Sequence, residues 1–239
     1  MFQDINYFRF GEAGILMEFG HEVSEEMNQQ IHEISGWLNE NPFDGFIETI
    51  PAYTTLTVLY DPMKFVHPEK SAFELAKNRV EIRIESMPKE SAAAGRVIRI
   101  PVCYGGDFGP DLQNVAKFNK LTEKEVIKIH TEKTCYVYML GFAPGFPFLG
   151  GMSSEIAAPR LSSPRLSIPK GSVGIAGEQT GIYPIETPGG WQLIGRTPLE
   201  LFRPTENPPT LLEAGDQVEF YEITTEEYHS WEAEDDHQD

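Results

Sequence analysis

Residues 169–184 read PKGSVGIAGEQTGIYP, a run in which short apolar stretches alternate with glycine and proline. The segment Ser172–Ala176 is typical of a buried strand, and the glycines and prolines on both sides indicate tight turns. The same composition extends over residues 141–200, which hold 11 of the 21 glycines and 8 of the 18 prolines. Further strands are predicted at Val97–Val102, Tyr136–Leu140, Trp191–Arg196, Leu199–Phe202 and Val218–Tyr221. This half of the chain is therefore predicted to be mainly β, in a closed or nearly closed barrel.

The first half shows a different pattern, in which two strands and a helix occur twice. The predicted elements are strands at Ile5–Phe10 and Ile15–Phe19, a helix from the cap Ser24 to about Asn41, strands at Phe46–Ile50 and Thr55–Tyr60, and a helix from about His67 to Met87. This order predicts a small α+β sandwich of two layers. A short helix is also predicted in the second half, from a capping box at Thr122 to about His130.

These patterns predict two domains, an N-terminal α+β domain over residues 1–88 and a mainly β domain over residues 96–225. The segment between them, residues 88–95, has no apolar anchor and is predicted to be a linker. Residues 226–239 contain seven acidic residues and neither lysine nor arginine. That segment is predicted to be a frayed acidic tail.

The charge and hydropathy of the chain exclude several classes of function. The formal net charge is -18, from 37 acidic and 19 basic residues, so a nucleic-acid binder is not expected. No apolar run approaches the roughly 20 residues that cross a bilayer, and no export signal is visible at Met1, so a cytoplasmic protein is expected. The two cysteines, Cys103 and Cys135, lack the spacing of a metal site, and no metal is predicted.

A local reversal of charge marks a candidate binding site. Between Ile156 and Leu199 the acids are Glu178 and Glu186, whereas the cations are Arg160, Arg165, Lys170 and Arg196. Cations on a backbone constrained by glycine and proline favour an anion such as a carboxylate or a phosphate. Glycine also allows backbone N–H groups to converge on a ligand. The alternatives are scattered surface bases and barrel turns that bind nothing.

Other residues complete the candidate site. Gln179 is predicted to make amide hydrogen bonds with the ligand, and three aromatic residues are predicted to form the wall of the pocket: Phe146, Tyr183 and Trp191. His130 lies at a helix end, where partial protonation is favoured, and is either a structural histidine or a catalytic one. Neither a phosphate-binding GxxxxGK[ST] loop nor a serine nucleophile elbow occurs, so neither a Walker-type nucleotide site nor a serine hydrolase is expected.

Four motifs resemble the KipI/PxpB family, also called allophanate hydrolase subunit 1. They are GFAPGFPFL at residues 141–149, the run at residues 169–184, PGGWQLIGRTP at residues 188–198, and PVCYGG at residues 101–106 followed by GPDL at residues 109–112. The N-terminal half resembles the family more loosely, in its order of elements. The resemblance covers nearly the whole chain.

The resemblance implies a fold, an activity and partners. The C-terminal domain would be a cyclophilin-like β barrel without prolyl isomerase activity. The chain would be the B-type subunit of a three-part 5-oxoprolinase, which opens 5-oxo-L-proline to L-glutamate with ATP as co-substrate. Its partners would be a C-type subunit with a related barrel and an A-type subunit of the LamB/YcsF kind. Two alternatives remain, a KipI-like inhibitor of a sensor histidine kinase and a subunit related to urea amidolyase and allophanate hydrolase.

Overall fold

The computed structural model describes residues 5–88 and 95–235, with side chains described as far as Trp231. The chain forms two compact units, one on each side of the boundary between residues 94 and 95. The predicted linker lies largely outside the described residues. Among the helices of the described part, none combines the length and the apolar character that a membrane span needs.

The first unit is a four-stranded antiparallel sheet with two helices packed on one face. Its elements are β1 (Asn6–Phe10), β2 (Gly14–Glu18), α1 (Glu25–Glu40), β3 (Phe46–Pro51), β4 (Thr55–Tyr60) and α2 (Ala72–Glu85), and the strand order is β1-β2-β4-β3. The helix residues Ile31, Leu38 and Val80 are buried in one core with Met17 and Val58 of the sheet. Every predicted strand and helix of this unit is present.

The start of α2 corrects the sequence prediction. The helix begins at Ala72, about one turn later than the predicted His67. The side chain of Ser71 accepts a hydrogen bond from the N–H of Glu74, and the Glu74 carboxylate accepts from the N–H of Ser71. This capping box satisfies the N–H groups that a helix start leaves free, so the helix begins there.

The second unit is built around a closed barrel, as predicted, and the barrel has seven strands. Its elements are β5 (Val97–Tyr104), α3 (Leu112–Asn119), α4 (Glu123–Glu132), β6 (Cys135–Leu140), β7 (Pro147–Gly150), β8 (Arg165–Ile168), β9 (Ser172–Ala176), β10 (Gln179–Ile182), β11 (Thr187–Gly189), β12 (Gln192–Arg196), β13 (Gln217–Glu222) and α5 (Thr225–Asp235). The barrel order is β10-β7-β6-β13-β5-β12-β9, closed by the pairing of β9 with β10. The remaining strands, β8 and β11, form a separate two-stranded ribbon.

Strand β9 shows how the barrel separates two apolar clusters. Val173 and Ile175 lie in the large core with residues of β5, β6 and β13. Ala176, of the opposite parity, lies in a smaller cluster with Ile168 of the ribbon. Because successive side chains of a strand point to opposite faces, one cluster fills the barrel and the other lies on its outer surface under the ribbon.

Three predictions for the second unit were wrong or incomplete. Residues Leu199–Phe202 do not form a strand, and Phe202 makes only an isolated bridge to Thr210. Helix α3 was not predicted. The acidic segment from residue 226 is helical as far as Asp235 rather than frayed, because Tyr228 is buried against Phe108 with ring centroids 4.6 Å apart. Residues 236–239 of the predicted tail lie outside the described residues.

Candidate functional site

A pair of glycines leaves a space on the barrel surface into which the rings of the candidate site pack. Gly174 of β9 and Gly181 of β10 are cross-strand partners. A Cβ atom at Gly181 would lie 3.1 Å from ring atoms of both Phe146 and Trp191, and one at Gly174 would lie 3.1 Å from Cβ of Trp191. Neither glycine is among the positive-φ positions. This pair therefore provides space for aromatic rings, and not the converging N–H groups that the sequence suggested.

Three aromatic rings fill this space. We call them the aromatic cluster, and they belong to Phe146, Tyr183 and Trp191. Their centroids are 5.2 Å apart for Phe146 and Tyr183, 5.6 Å for Phe146 and Trp191, and 6.5 Å for Tyr183 and Trp191, all edge to face. Each residue is at most 5% exposed. The three predicted wall residues do lie together, in a packed cluster on the outer surface of the barrel.

The GFAPGF motif is a double turn that aims Phe146 into the cluster. The N–H of Ala143 donates to the carbonyl of Gly141 at 2.8 Å, which closes a γ-turn around Phe142, whose φ is +67°. The N–H of Phe146 then donates to the carbonyl of Ala143 at 3.0 Å, and Gly145 supplies the positive φ that this second turn requires. A γ-turn with positive φ is strained for phenylalanine. Phe142 is 68% exposed, and its ring packs edge-on against that of Phe146.

Two arginines influence the pKa of Tyr183. Burial raises this pKa, whereas the backbone of Trp191 and the positive charges of Arg160 and Arg165 lower it. The guanidinium carbon of Arg160 lies 6.0 Å from the centroid of a Trp191 ring. Arg165 is held by an ion pair of 2.8 Å with Asp111. Two of the three cations at five-residue spacing are thus brought to the aromatic cluster.

The ribbon and the neighbouring loop place these arginines. Arg165 lies opposite Gly189 in the ribbon, and a Cβ atom at Gly189 would come within 2.5 Å of the Tyr183 hydroxyl oxygen, so the ribbon lies directly on that ring. The loop that carries Arg160 is tied down by a hydrogen bond of 2.9 Å from Nε2 of Gln192 to the carbonyl of Pro159. The guanidinium groups are therefore fixed from two separate segments.

Arg196 and Ser172 form a second polar position, at one end of β9. The two residues are cross-strand partners. The Arg196 guanidinium lies over the ring of Phe108 at 5.7 Å, and within the described part of the chain it has no acidic partner. Nε of Arg196 and Oγ of Ser172 are both buried and have no hydrogen-bond partner among the residues that the structure describes. Ser172 was not among the predicted site residues.

Lys170 and Gln179 do not join these groups. Nζ of Lys170 makes an exposed ion pair of 2.9 Å with Glu200, so its charge is already neutralised. Gln179 pairs with Ala176 at the opposite end of the β9–β10 hairpin. Since β9 spans five residues, this end lies roughly 13 Å from Ser172. The four predicted polar residues therefore lie on four separate segments, β8, the turn before β9, β10 and β12, and do not surround one ligand.

His130 is a buried structural histidine at the wall of the barrel. Thr180 donates its hydroxyl hydrogen to the carbonyl of Gly174 at 3.1 Å, so it accepts from Nε2 of His130 at 2.9 Å. Nδ1 of His130 then accepts from the hydroxyl group of Tyr104 at 2.8 Å. Burial lowers the pKa of His130 to about 3. Desolvation thus overrides the helix-end effect that favoured protonation, and the ring stays neutral.

Asp111 is a second site residue that sequence reasoning missed. Its carboxylate is 3% exposed and pairs with Arg165 across 54 positions of the chain. The GPDL motif contains this aspartate, but an aspartate directly before a helix is ordinarily explained as a cap. The sequence therefore contained the relevant residue, but its position before a helix suggested a cap and not a binding role.

No predicted site residue lines the cavity of about 440 Å³ that lies at the end of α4. Its lining includes Arg99, Lys133, Glu219 and Glu222, a mixture of both charges. Arg99 is already engaged there by Glu219 and by the ring of Tyr221. Among the described residues, no group of three or more histidine, cysteine or acidic side chains can hold a metal ion.

Comparisons with known proteins agree with the motifs. The family model of the carboxyltransferase domain, subdomains C and D, matches residues 5–212. The chain is 56% identical over 230 residues to the B subunit of 5-oxoprolinase from Bacillus subtilis, covering 95% of this chain and 96% of that protein.

Solved structures show the same fold. The crystal structure of TTHA0988 superposes with a TM-score of 0.77 and 36% identity over 88% of this chain, which spans 39% of that longer chain. The urea amidolyase of K. lactis gives a TM-score of 0.73 at 22% identity, over 95% of this chain and 15% of that one, a likeness of fold alone.

The barrel, its ribbon and the family match define the class of the protein as a carboxyltransferase domain of the C and D kind. Within that class the chain belongs to the KipI/PxpB family, whose members include the 5-oxoprolinase B subunits, as the motifs predicted.

Proposed function

We propose that this chain is the B-type subunit of a multi-subunit, ATP-dependent 5-oxoprolinase that opens 5-oxo-L-proline to L-glutamate in the cytoplasm. The observation that carries the proposal is that two cations lie at the aromatic cluster, Arg160 over the ring of Trp191 and Arg165 in the ribbon that covers Tyr183, in a chain whose net charge is -18. The identity to the Bacillus subtilis B subunit over 95% of the chain supports it.

The chemistry of the substrate suits this position. 5-Oxoproline is a small, flat ring that carries one carboxylate and one lactam group. A guanidinium group binds a carboxylate through charge-assisted hydrogen bonds, which Arg165 can supply. The exposed ring of Phe142, which packs edge-on against Phe146, can contact the apolar ring carbons of the substrate. This chain would therefore bind and orient the substrate.

ATP supplies the driving force in this proposal. Transfer of the terminal phosphoryl group to the lactam oxygen makes the ring carbon susceptible to water, which then opens the C–N bond and releases phosphate. Donors near the developing negative charge stabilise such a transition state. Arg196, which has no acidic partner in the described part of the chain, is a candidate phosphate ligand. Because the chain has no phosphate-binding loop of the P-loop kind, the nucleotide would be bound with the C-type and A-type partner subunits.

The test is co-expression with those partner subunits and an assay of ATP-dependent glutamate release from 5-oxo-L-proline. The Arg165→Ala variant should lower kcat/KM at least about a hundredfold, because a charged hydrogen-bonding partner of the substrate is lost. Arg79→Ala, the same change at an exposed position of α2, is the matched control and should leave turnover unchanged. A well-folded wild-type complex without activity would refute the proposal. Unchanged turnover in the Arg165 variant would remove Arg165 from the site.

A further inference from the structure

Asp111 occupies the cap position of α3 without capping the helix. An aspartate there normally accepts a hydrogen bond from the helix's own free N–H groups, which is worth about 1 kcal/mol. Here the side chain makes no such bond. Oδ2 accepts instead from the N–H of Leu193 at 2.8 Å, and Oδ1 accepts from Nη2 of Arg165 at 2.8 Å. Nδ2 of Asn114 also contacts Oδ1, at 3.5 Å. The carboxylate thus binds β12 and Arg165 of the ribbon and leaves the free N–H groups of its own helix uncapped.

The surroundings of Asp111 make it a rigid acceptor. The residue is 3% exposed, and its backbone N–H donates to the carbonyl of Leu193 at 2.8 Å. Together with the bond from the N–H of Leu193 to Oδ2, this fastens the aspartate to β12 at two points. A carboxylate fixed in this way determines where the guanidinium of Arg165 lies.

The pairing engages only part of that guanidinium. Nη2 of Arg165 binds Asp111, whereas Nη1 has no hydrogen-bond partner among the residues that the structure describes. The Arg165 side chain is 29% exposed. An arginine that is already immobilised loses less conformational entropy when it binds a ligand than a mobile one does. The arrangement therefore leaves a pre-oriented cation with hydrogen-bonding capacity to spare.

We propose that Asp111 is a positioning residue, which holds Arg165 beside Tyr183 so that the remaining N–H groups of the guanidinium receive the substrate's carboxylate. The identity of that substrate rests on the proposed function. The coupling of Asp111 to Arg165 does not, and it can be measured on this chain alone.

The first test is Asp111→Asn in the assembled complex. The amide has the shape of the carboxylate, but its NH₂ group must face either Leu193 N–H or Arg165, and both are donors. We expect KM for 5-oxo-L-proline to rise about tenfold, with kcat within about twofold, because binding is affected and the chemical step is not. Asp107→Asn, the same change at an exposed position of the same loop, should change neither constant. An unchanged KM in Asp111→Asn overturns the proposal.

The double variant separates positioning from a general loss of structure. If Asp111 acts through Arg165, then Asp111→Asn in the Arg165→Ala background should raise KM no further. Additive effects, or equal losses of stability and activity in both backgrounds, would show a merely structural role.

A measurement on the isolated full chain covers the case in which the complex does not turn over 5-oxo-L-proline. The Nη–H signals of Arg165 in low-temperature NMR spectra should exchange slowly with water in the wild type and rapidly in Asp111→Asn, with the amide signals of α3 unchanged, because the bond to Asp111 is made by Nη2. Equal exchange in both proteins would refute the positioning role. Inactivity of the wild-type complex would refute only the proposed function.

Discussion

The two faces of the β9–β10 hairpin differ in whether their buried polar groups are hydrogen-bonded. Inside the barrel, Tyr104, His130 and Thr180 form a chain of hydrogen bonds in which each hydroxyl or ring N–H has an acceptor. On the outer face, Nη1 of Arg165, Nε of Arg196 and Oγ of Ser172 are buried and have no acceptor among the described residues. A complete network stabilises a fold, whereas buried donors that lack acceptors are costly and indicate a functional site. The comparison explains why the neutral histidine is structural and the outer face is the candidate site.

The largest effect is expected on the outer face, from Trp191→Ala. Trp191 is 5% exposed and lies on Gly174 and Gly181. Its removal should lower the free energy of unfolding by about 3–5 kcal/mol, measured by urea denaturation. Trp231→Ala is the matched control, because Trp231 is 39% exposed, and its cost should stay below about 1 kcal/mol. Equal losses would mean that the aromatic cluster is not a packed core.

A smaller effect is expected inside the barrel, from the protonation of His130. The folded protein keeps this ring neutral with a pKa of about 3, while the unfolded chain protonates it near its ordinary pKa. Between those two values the unfolded state binds more protons, so the free energy of unfolding falls as the pH falls. The loss from this group should be about 2 kcal/mol between about pH 7.5 and about pH 5.

The control for that measurement is His130→Gln, which keeps a donor and an acceptor but does not titrate. The free energy of unfolding should be larger for the wild type than for the variant, and this difference should decrease steadily as the pH falls from about 7.5 to about 5. A difference that is independent of pH would show that His130 does not stay neutral in the folded state.

The smallest effect is expected from Lys170→Ala. Lys170 is a cation from the same run of sequence as Arg165, but its ion pair with Glu200 is exposed, with side-chain exposures of 69% and 49%. Its removal should change the free energy of unfolding by less than about 0.5 kcal/mol and leave KM for 5-oxo-L-proline unchanged. A loss of turnover as large as that of Arg165→Ala would return Lys170 to the site.

The fold could largely be predicted from the sequence, since buried strands of four to eight residues between glycines and prolines have a clear signature. The errors have a common cause. The apolar segment Leu199–Phe202 contains the buried Leu201 but makes only an isolated bridge, and the acidic α5 is held by side chains that contact the barrel, chiefly Tyr228 against Phe108. In both cases tertiary contacts decided the conformation, and local composition does not contain them.

The candidate site could be predicted only in part. The three aromatic residues come together because Phe146 precedes β7, Tyr183 follows β10 and Trp191 precedes β12, and β7 and β12 flank the β9–β10 hairpin in the barrel. The cations separate because β8 lies in the ribbon, whereas Lys170 lies in the turn before β9, so equal spacing in sequence does not produce one cluster. The partner of Arg165 is 54 residues away in the chain, a distance at which sequence pattern carries no information.

The position of β13 determines when the barrel of the second unit can close during synthesis. It lies between β5, to which it is parallel over Gln217–Glu222, and β6. The family match ends at residue 212, before this strand begins. Until β13 leaves the ribosome, β5 and β6 each present an unpaired edge, the kind of surface that recruits other chains. A nascent chain stalled before residue 217 is therefore an open sheet at risk of aggregation, and closure of the barrel waits until Gln217–Glu222 has been synthesised.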